Sequence, residues 1–247
     1  MNSIGIGIHG TGLSADYHGY ALAKNKYFSL KAVSDDGYPQ ALSYAKRHHV
    51  DKCYGDLEYL LSCPDVDIVV VASPFFDNIK ILPYIIETGR SVIMETPLDG
   101  SVEDAERIVG MAEDIFLFPV SQMASDPLMK YTSSLIKEGK LGEIRDFSLL
   151  WSFPSPVKRW MNQWGREKHF DEKLLFLQSA SGAFNLVYTL FGVDEVLKVE
   201  EGIDGVRIVF NNGSLVINDG NKGFSFSIKG ENGGIEGENG RLKRGVV

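Results

Sequence analysis

Ile4-Gly5-Ile6-Gly7-Ile8-His9-Gly10-Thr11-Gly12-Leu13-Ser14-Ala15 decides how this chain folds. Isoleucines alternate with small residues from Ile4 to Ile8 and no charge interrupts them, which predicts a short buried strand. A glycine-rich turn follows. Gly10 permits a tight reversal, Gly12 lets the backbone approach a pyrophosphate, and Ala15 in the third small position keeps the next helix close to the strand. Thr11, Leu13 and Ser14 complete the loop, and the amino end of the helix then presents its N–H groups to phosphate charge. Asp35 comes after the next strand at the expected offset of ~20 residues. There a carboxylate accepts hydrogen bonds from an adenosine ribose and repels a 2′-phosphate, and Asp36 stands where an NADP site often offers Arg. The pattern points to a dinucleotide cofactor, NAD in preference to NADP. The competing reading of Asp35 is a helix N-cap or turn residue.

Working outward, short apolar runs alternate with longer amphipathic stretches. Ile4–Ile8, Leu30–Ser34, Ile68–Ala72, Val92–Met94 and Phe116–Val120 read as buried strands. Ala41, Tyr44, Ala45 and His48 recur at helical spacing, as do Leu57, Leu60 and Leu61. This βαβ rhythm predicts a doubly wound parallel sheet of the Rossmann type over residues 1–120. Beyond Pro119 the rhythm changes to a helix over Leu128–Lys137, a strand over Ile144–Phe153, a polar and aromatic stretch, a helix over Lys173–Phe191 and several short strands. Residues 121–247 therefore read as a smaller α+β domain on a mostly antiparallel open sheet. Asn211-Asn212-Gly213 and Asp219-Gly220-Asn221 separate strands Val206–Phe210, Ser214–Asn218 and Gly223–Ile228, and both read as hairpin turns. The Gly, Glu and Asn cluster from Gly230 to Gly240 reads as turns or a loosely ordered end.

Composition narrows the function classes. The 247 residues are 44% apolar and 23% charged, ordinary globular usage, with a net charge of −8 and a pI near 5.2. That balance opposes a nucleic-acid surface, which needs clustered Lys and Arg. Cys53 and Cys63 form neither a CxxC pair nor a cluster with histidines, so no disulfide scaffold and no metal site is expected. No apolar stretch approaches the ~18 residues that span a bilayer, and no basic-then-apolar leader opens the chain. The expectation is a cytoplasmic protein with no nucleic-acid partner and no membrane.

Three further stretches carry a resemblance to one family. They are Tyr54-Gly55-Asp56-Leu57-Glu58-Tyr59-Leu60-Leu61, then Asp65-Val66-Asp67-Ile68-Val69-Val70-Val71-Ala72-Ser73-Pro74, and Glu87-Thr88-Gly89-Arg90-Ser91-Val92-Ile93-Met94-Glu95-Thr96-Pro97-Leu98. Ile136-Lys137-Glu138-Gly139-Lys140-Leu141-Gly142-Glu143-Ile144 adds a fourth. Together they resemble the Gfo/Idh/MocA oxidoreductases, over nearly the whole chain. The resemblance implies a Rossmann domain, a substrate domain on an open mixed or antiparallel sheet, and oligomerisation through that sheet, with a homodimer the expected form. It also implies NAD(P)-dependent chemistry on a sugar, polyol or related small molecule. Ala72, Ser73, Pro74, Glu95, Thr96 and Pro97 join the glycine loop and Asp35 as implied cofactor-binding residues. Relatives run longer, so the second domain is expected to be truncated, with fewer strands and some apolar surface left for an oligomer to cover.

The departures from the family pattern fall on the chemistry. The family reads Glu-Lys-Pro where this chain reads Glu95-Thr96-Pro97, and a threonine hydroxyl supplies neither the charge nor the acid-base range of an ammonium. The family's Asp-x-Gly-x-His-x-x-Asp helix aligns with Gln178, Ala180, Gly182 and Asn185, which removes the imidazole that handles the hydroxyl proton. The family's Asn and His after the fourth strand appear as Phe75 and Asn78. Candidate replacements in the catalytic role are His169, with Lys168, Arg166 and Arg159 nearby, and Tyr188. Such charged groups in a polar stretch are also commonly just solvated. His9 and His18 near the glycine loop read as packing or surface residues, and Trp151, Trp160 and Trp164 as core area or the wall of an aromatic pocket. The first reading is an oxidoreductase with a rebuilt proton relay. The alternatives are a catalytically inactive dinucleotide- or sugar-binding sensor or partner subunit on the same fold, and an interaction module that has lost the cofactor.

Overall fold

The alternation of strand and helix signals condenses into two units, Met1–Val120 and Ser121–Val247, in the computed structural model. The structure describes residues 3–74, 77–98, 100–153, 172–192, 195–202, 205–219 and 223–246. The first unit runs β1 (Ile4–His9), α1 (Leu13–Ala23), β2 (Phe28–Ser34), α2 (Tyr38–His48), β3 (Lys52–Tyr54), α3 (Leu57–Leu61), β4 (Ile68–Val71), α4 (Asn78–Glu87), β5 (Ser91–Met94), α5 (Val102–Met111) and β6 (Leu117–Pro119). Its strands form one sheet in the order β3-β2-β1-β4-β5-β6, every neighbouring pair parallel. This is the doubly wound arrangement expected from the sequence.

Strand periodicity divides the apolar residues between the two faces of this sheet. Val69, Val71, Val92 and Met94 join one cluster with Leu60, Leu82, Ile85 and Ile108. Val70 and Ala72 join the other with Ile6, Ile8, Val33, Ala15 and Tyr44. Burial on both faces explains why these strands read as nearly continuous apolar runs. Local chemistry sets the helix starts: Asp56 accepts from the Tyr59 N–H at α3, and Ser101 with Asp104 forms a capping box at α5. The sequence reading missed β3. Lys52-Cys53-Tyr54 is too short to show a period, and it becomes a strand by pairing with Ala32, Val33 and Ser34 at the sheet edge.

The second unit contains α6 (Gln122–Ser125), α7 (Pro127–Lys137), β7 (Ile144–Phe153), α8 (Glu172–Phe191), β8 (Val196–Gly202), β9 (Gly205–Phe210), β10 (Gly213–Asp219), β11 (Phe224–Gly230), β12 (Gly234–Glu238) and β13 (Arg241–Val246). Seven strands form a sheet in the order β13-β12-β11-β7-β10-β9-β8. The pairing is antiparallel except between β7 and β10. Asn211-Asn212-Gly213 does close the β9–β10 hairpin. Gly220 and Asn221 of the other expected hairpin turn lie outside the described residues, and the strands on either side, β10 and β11, do not pair with each other, because β7 lies between them and pairs with both. β7 offers ten residues of edge on each side, more than either short strand offers the other. The Gly230–Gly240 cluster is also ordered. It contributes β12 and the turn into β13, where Asn239 (φ 49°) and Gly240 (φ 76°) adopt the paired positive angles of a tight hairpin turn.

One face of this sheet is covered. Phe147, Leu149, Leu215, Ile217, Phe226 and Ile228 pack there with Ala183, Leu186 and Leu190 of α8 and Leu128 and Leu135 of α7. The opposite face carries Ser148, Leu150, Ser225, Ser227, Glu236 and Glu238 around a shallow cavity of about 300 Å³. It is more polar than the apolar surface expected from the sequence.

Candidate functional site

The carboxyl edge of the first sheet collects the residues singled out in the sequence. Strand order reverses between β1 and β4, and ligands of open α/β sheets bind in the crevice such a switch creates. Gly10 ends β1 with φ 86°, and a Cβ there would sit 2.3 Å from the Ser73 nitrogen on the neighbouring strand end. No other residue fits. Gly12 is the N-cap of α1 and supplies no side-chain cap, so the helix starts with N–H groups free of side-chain partners. Leu13 is exposed, Ser14 half-buried and Ala15 fully buried, its carbonyl accepting from the Tyr44 hydroxyl at 2.7 Å.

Asp35 ties the loop together. Its Oδ2 accepts from the Thr11 N–H and the Thr11 hydroxyl, both at 2.8 Å, and its Oδ1 accepts from the Gly37 N–H at 2.8 Å. It does not cap α2, whose N-cap is Gly37. A carboxylate has about four acceptor positions, so three filled ones leave room for a ribose hydroxyl. Asp36 is exposed beside it.

On the other side of the switch stand Ala72, Ser73 and Pro74 after β4 and Glu95, Thr96 and Pro97 after β5. The Ser73 hydroxyl is buried and has no hydrogen-bond partner. A buried donor left unpaired at a ligand crevice fits a site shaped for a polar group. The Glu95 carboxylate accepts from His18 Nε2 at 2.7 Å, so His18, read from the sequence as a packing or surface residue, is a partner of the β5 turn. Thr96, cis to Pro97, donates its hydroxyl to the Val120 carbonyl at 3.2 Å. Asn78 is fully buried at the start of α4, and its amide nitrogen faces the carbonyls of Glu95 at 3.2 Å and Pro97 at 3.5 Å. His9, before the loop, shares a 3.0 Å hydrogen bond with Ser34. Burial pushes its imidazole below the ordinary value, against the opposing pull of Asp36, Asp35, Asp77 and Asp56.

In the second unit, α8 places Gly182 against an aromatic ring. A Cβ at Gly182 would lie 3.3 Å from Cζ2 and Cη2 of Trp151, whose ring meets Phe224 edge-on at 5.5 Å. A side chain at position 182 therefore requires that ring to give by a few tenths of an ångström. Trp151 is thus partly buried core and not a free pocket wall. Asn185 accepts from the Ser121 hydroxyl at 2.8 Å and Tyr188 is exposed on α8. His169, with Arg159, Trp160, Trp164, Arg166 and Lys168, lies outside the described residues, as does Phe75. Among the described residues no group of three or more His, Cys, Asp and Glu is arranged to hold a metal ion, and no helix is long and apolar enough to cross a membrane.

Residues 4–115 match the model of an oxidoreductase family described as an NAD-binding Rossmann fold. An uncharacterized oxidoreductase of Synechocystis is 26% identical over 192 residues, which cover 76% of this chain and 51% of the relative. The chain spans about half the length of that relative or less of the other curated relatives it matches. Among solved structures, the WlbA dehydrogenase of Bordetella pertussis in complex with NADH and UDP-GlcNAcA superposes with a TM-score of 0.83 at 19% identity, covering 99% of this chain and 81% of that one. The scyllo-inositol dehydrogenase of Lactobacillus casei with bound NAD(H) and scyllo-inositol gives 0.82 at 18% identity, covering 96% and 77%. At such identities the superpositions show the fold. Residues 4–115 thus match the NAD-binding Rossmann domain of the Gfo/Idh/MocA oxidoreductases.

Proposed function

We propose that this protein is an NAD-dependent oxidoreductase acting on the CH–OH group of a sugar, polyol or related small molecule, through an atypical proton relay. The observation that carries the reading is the clasp of Asp35 on Thr11 and Gly37 beside the uncapped start of α1. It presents N–H groups to a pyrophosphate and one remaining carboxylate position to a ribose, and its charge opposes the 2′-phosphate of NADP. NAD supplies the hydride acceptor when bound. Gly10, Thr11, Gly12, Leu13, Ser14 and Ala15 hold the phosphates, Asp35 the adenosine ribose, and Ala72–Pro74 with Glu95–Pro97 line the far half. His169 and Tyr188 are the proposed proton-handling groups. The sugar and inositol ligands of the two solved relatives support the substrate class. A homodimer through the open face of the second sheet and a cytoplasmic location, in keeping with two free cysteines, complete the reading.

A second reading, a catalytically inactive dinucleotide- or sugar-binding sensor or partner subunit, is favoured by two observations. The Thr96 hydroxyl is committed to Val120, and Trp151 abuts Gly182. Fluorescence titration with NADH and NADPH, followed by an absorbance screen of polyols, aldoses and inositols with NAD, separates the two. Tight NADH binding with turnover that falls sharply in His169→Ala supports the enzyme. Tight binding with silence across the panel supports the sensor, and no NADH binding below millimolar concentration refutes both.

A further inference from the structure

The Glu95-Thr96-Pro97 turn is held at every residue. The Glu95 N–H donates to the Val71 carbonyl at 3.1 Å, its carbonyl accepts from Asn78 Nδ2 at 3.2 Å, and its carboxylate accepts from His18 Nε2 at 2.7 Å. The Thr96 hydroxyl donates to the Val120 carbonyl, and the Pro97 carbonyl faces Asn78 Nδ2 at 3.5 Å. Asn78 is fully buried, and its Oδ1 is buried without a hydrogen-bond partner. A leucine would fill that space without leaving an acceptor unpaired, so packing alone does not account for an amide there. What the amide adds is a donor directed at two carbonyls of one turn. His18 grips the same turn from α1, on a different element, with its side chain about one-fifth exposed.

The place of this turn gives the grip its meaning. A dinucleotide lies across the switch between β1 and β4 with its two halves on opposite sides. Asp35 at the end of β2 marks the adenosine side, so the ends of β4 and β5 belong to the nicotinamide side. We infer that Asn78 and His18 are positioning residues that together fix the Glu95–Pro97 turn as the nicotinamide-side wall of the cofactor site. The inference rests on the cofactor reading above. Neither residue touches the cofactor in this scheme; each acts through the turn.

Titrating NADH and ADP-ribose into the wild-type chain, Asn78→Ala and His18→Ala tests it, because ADP-ribose is the dinucleotide without its nicotinamide. Loosening the wall weakens NADH by about tenfold in Asn78→Ala, the equivalent of one lost hydrogen-bonded contact, while ADP-ribose changes by less than about twofold. His18→Ala shows the same split, smaller. The His18 variant removes a partly exposed side chain and carries the test even if Asn78→Ala fails to fold. Unchanged NADH affinity in His18→Ala, or equal loss of both ligands in the variants that fold, overturns the inference. A wild-type chain that binds neither ligand overturns the cofactor reading, and the inference with it.

Discussion

Gly10→Ala tests the turn on which the fold depends. Gly10 has φ 86°, where an alanine meets its own carbonyl at a cost of about 1–2 kcal/mol. The new Cβ would also lie 2.3 Å from the Ser73 nitrogen, 2.6 Å from the Ala72 carbonyl carbon and 2.6 Å from the Ser73 Cα. All three are backbone atoms at the end of β4, a strand paired on both sides, so none swings away as a side chain does. Overpacking of this kind adds about 1–3 kcal/mol. The sum, about 2–5 kcal/mol, is a large part of the ~5–15 kcal/mol that keeps a domain folded. Gly12→Ala is the control, since Gly12 has φ −75° and ψ −165°, an extended conformation open to any residue. Urea unfolding of both variants, followed by circular dichroism, should show Gly10→Ala losing several kcal/mol while the Gly12→Ala backbone tolerates its methyl. NADH affinity should fall in Gly12→Ala, whose methyl stands between the helix start and the phosphates. A Gly10→Ala protein within about 0.5 kcal/mol of wild type would refute the left-handed turn and its contact with β4.

Asp35→Ala leaves the Thr11 and Gly37 N–H groups without their acceptor, so stability should fall by about 1–3 kcal/mol. In the same variant NADH should bind about tenfold more weakly while NADPH changes little, since one ribose contact and one repulsion vanish together; unaltered discrimination between the two cofactors would count against Asp35. The buried His9 titrates below the ordinary imidazole range when folded, so between its folded and unfolded values the unfolded chain binds more protons and stability rises with pH. The His9 contribution is therefore present above the unfolded value of about 6.5 and is lost as pH falls from there through the lower folded value. Urea midpoints from pH 7.5 to 5 should drop more steeply in wild type than in His9→Gln, and parallel slopes would remove His9 from this role.

Much of the first unit was legible because its signals are local. The isoleucines of β1, the glycines after it and Asp35 one strand later each constrain a few neighbouring residues, and parallel strands buried on both faces announce themselves as unbroken apolar runs. β3 escaped because three residues carry no period and pairing alone makes them a strand. In the second unit, Asp219-Gly220-Asn221 has hairpin composition, yet composition does not say which strands will pair. Asn239-Gly240 lies within a glycine-rich stretch that read as turns or a loosely ordered end, and the flanking strands β12 and β13 were not legible because pairing alone defines them. In the site, His18 and Glu95 are 77 residues apart, and no spacing rule connects them.

From the sequence alone came a doubly wound domain, the glycine turn after β1 and Asp35 one strand later, and with them the expectations of a phosphate-binding turn, a ribose carboxylate and a loss of the family's lysine and histidine. Those features are written in consecutive residues or fixed offsets, where backbone geometry leaves few alternatives. Only the tertiary structure decided that β7 separates β10 from β11, that Trp151 abuts Gly182, and that Asn78 and His18 grip the Glu95–Pro97 turn. Each of these joins residues distant in the chain, and such contacts are chosen by competition among all available partners for edge, volume and hydrogen bonds.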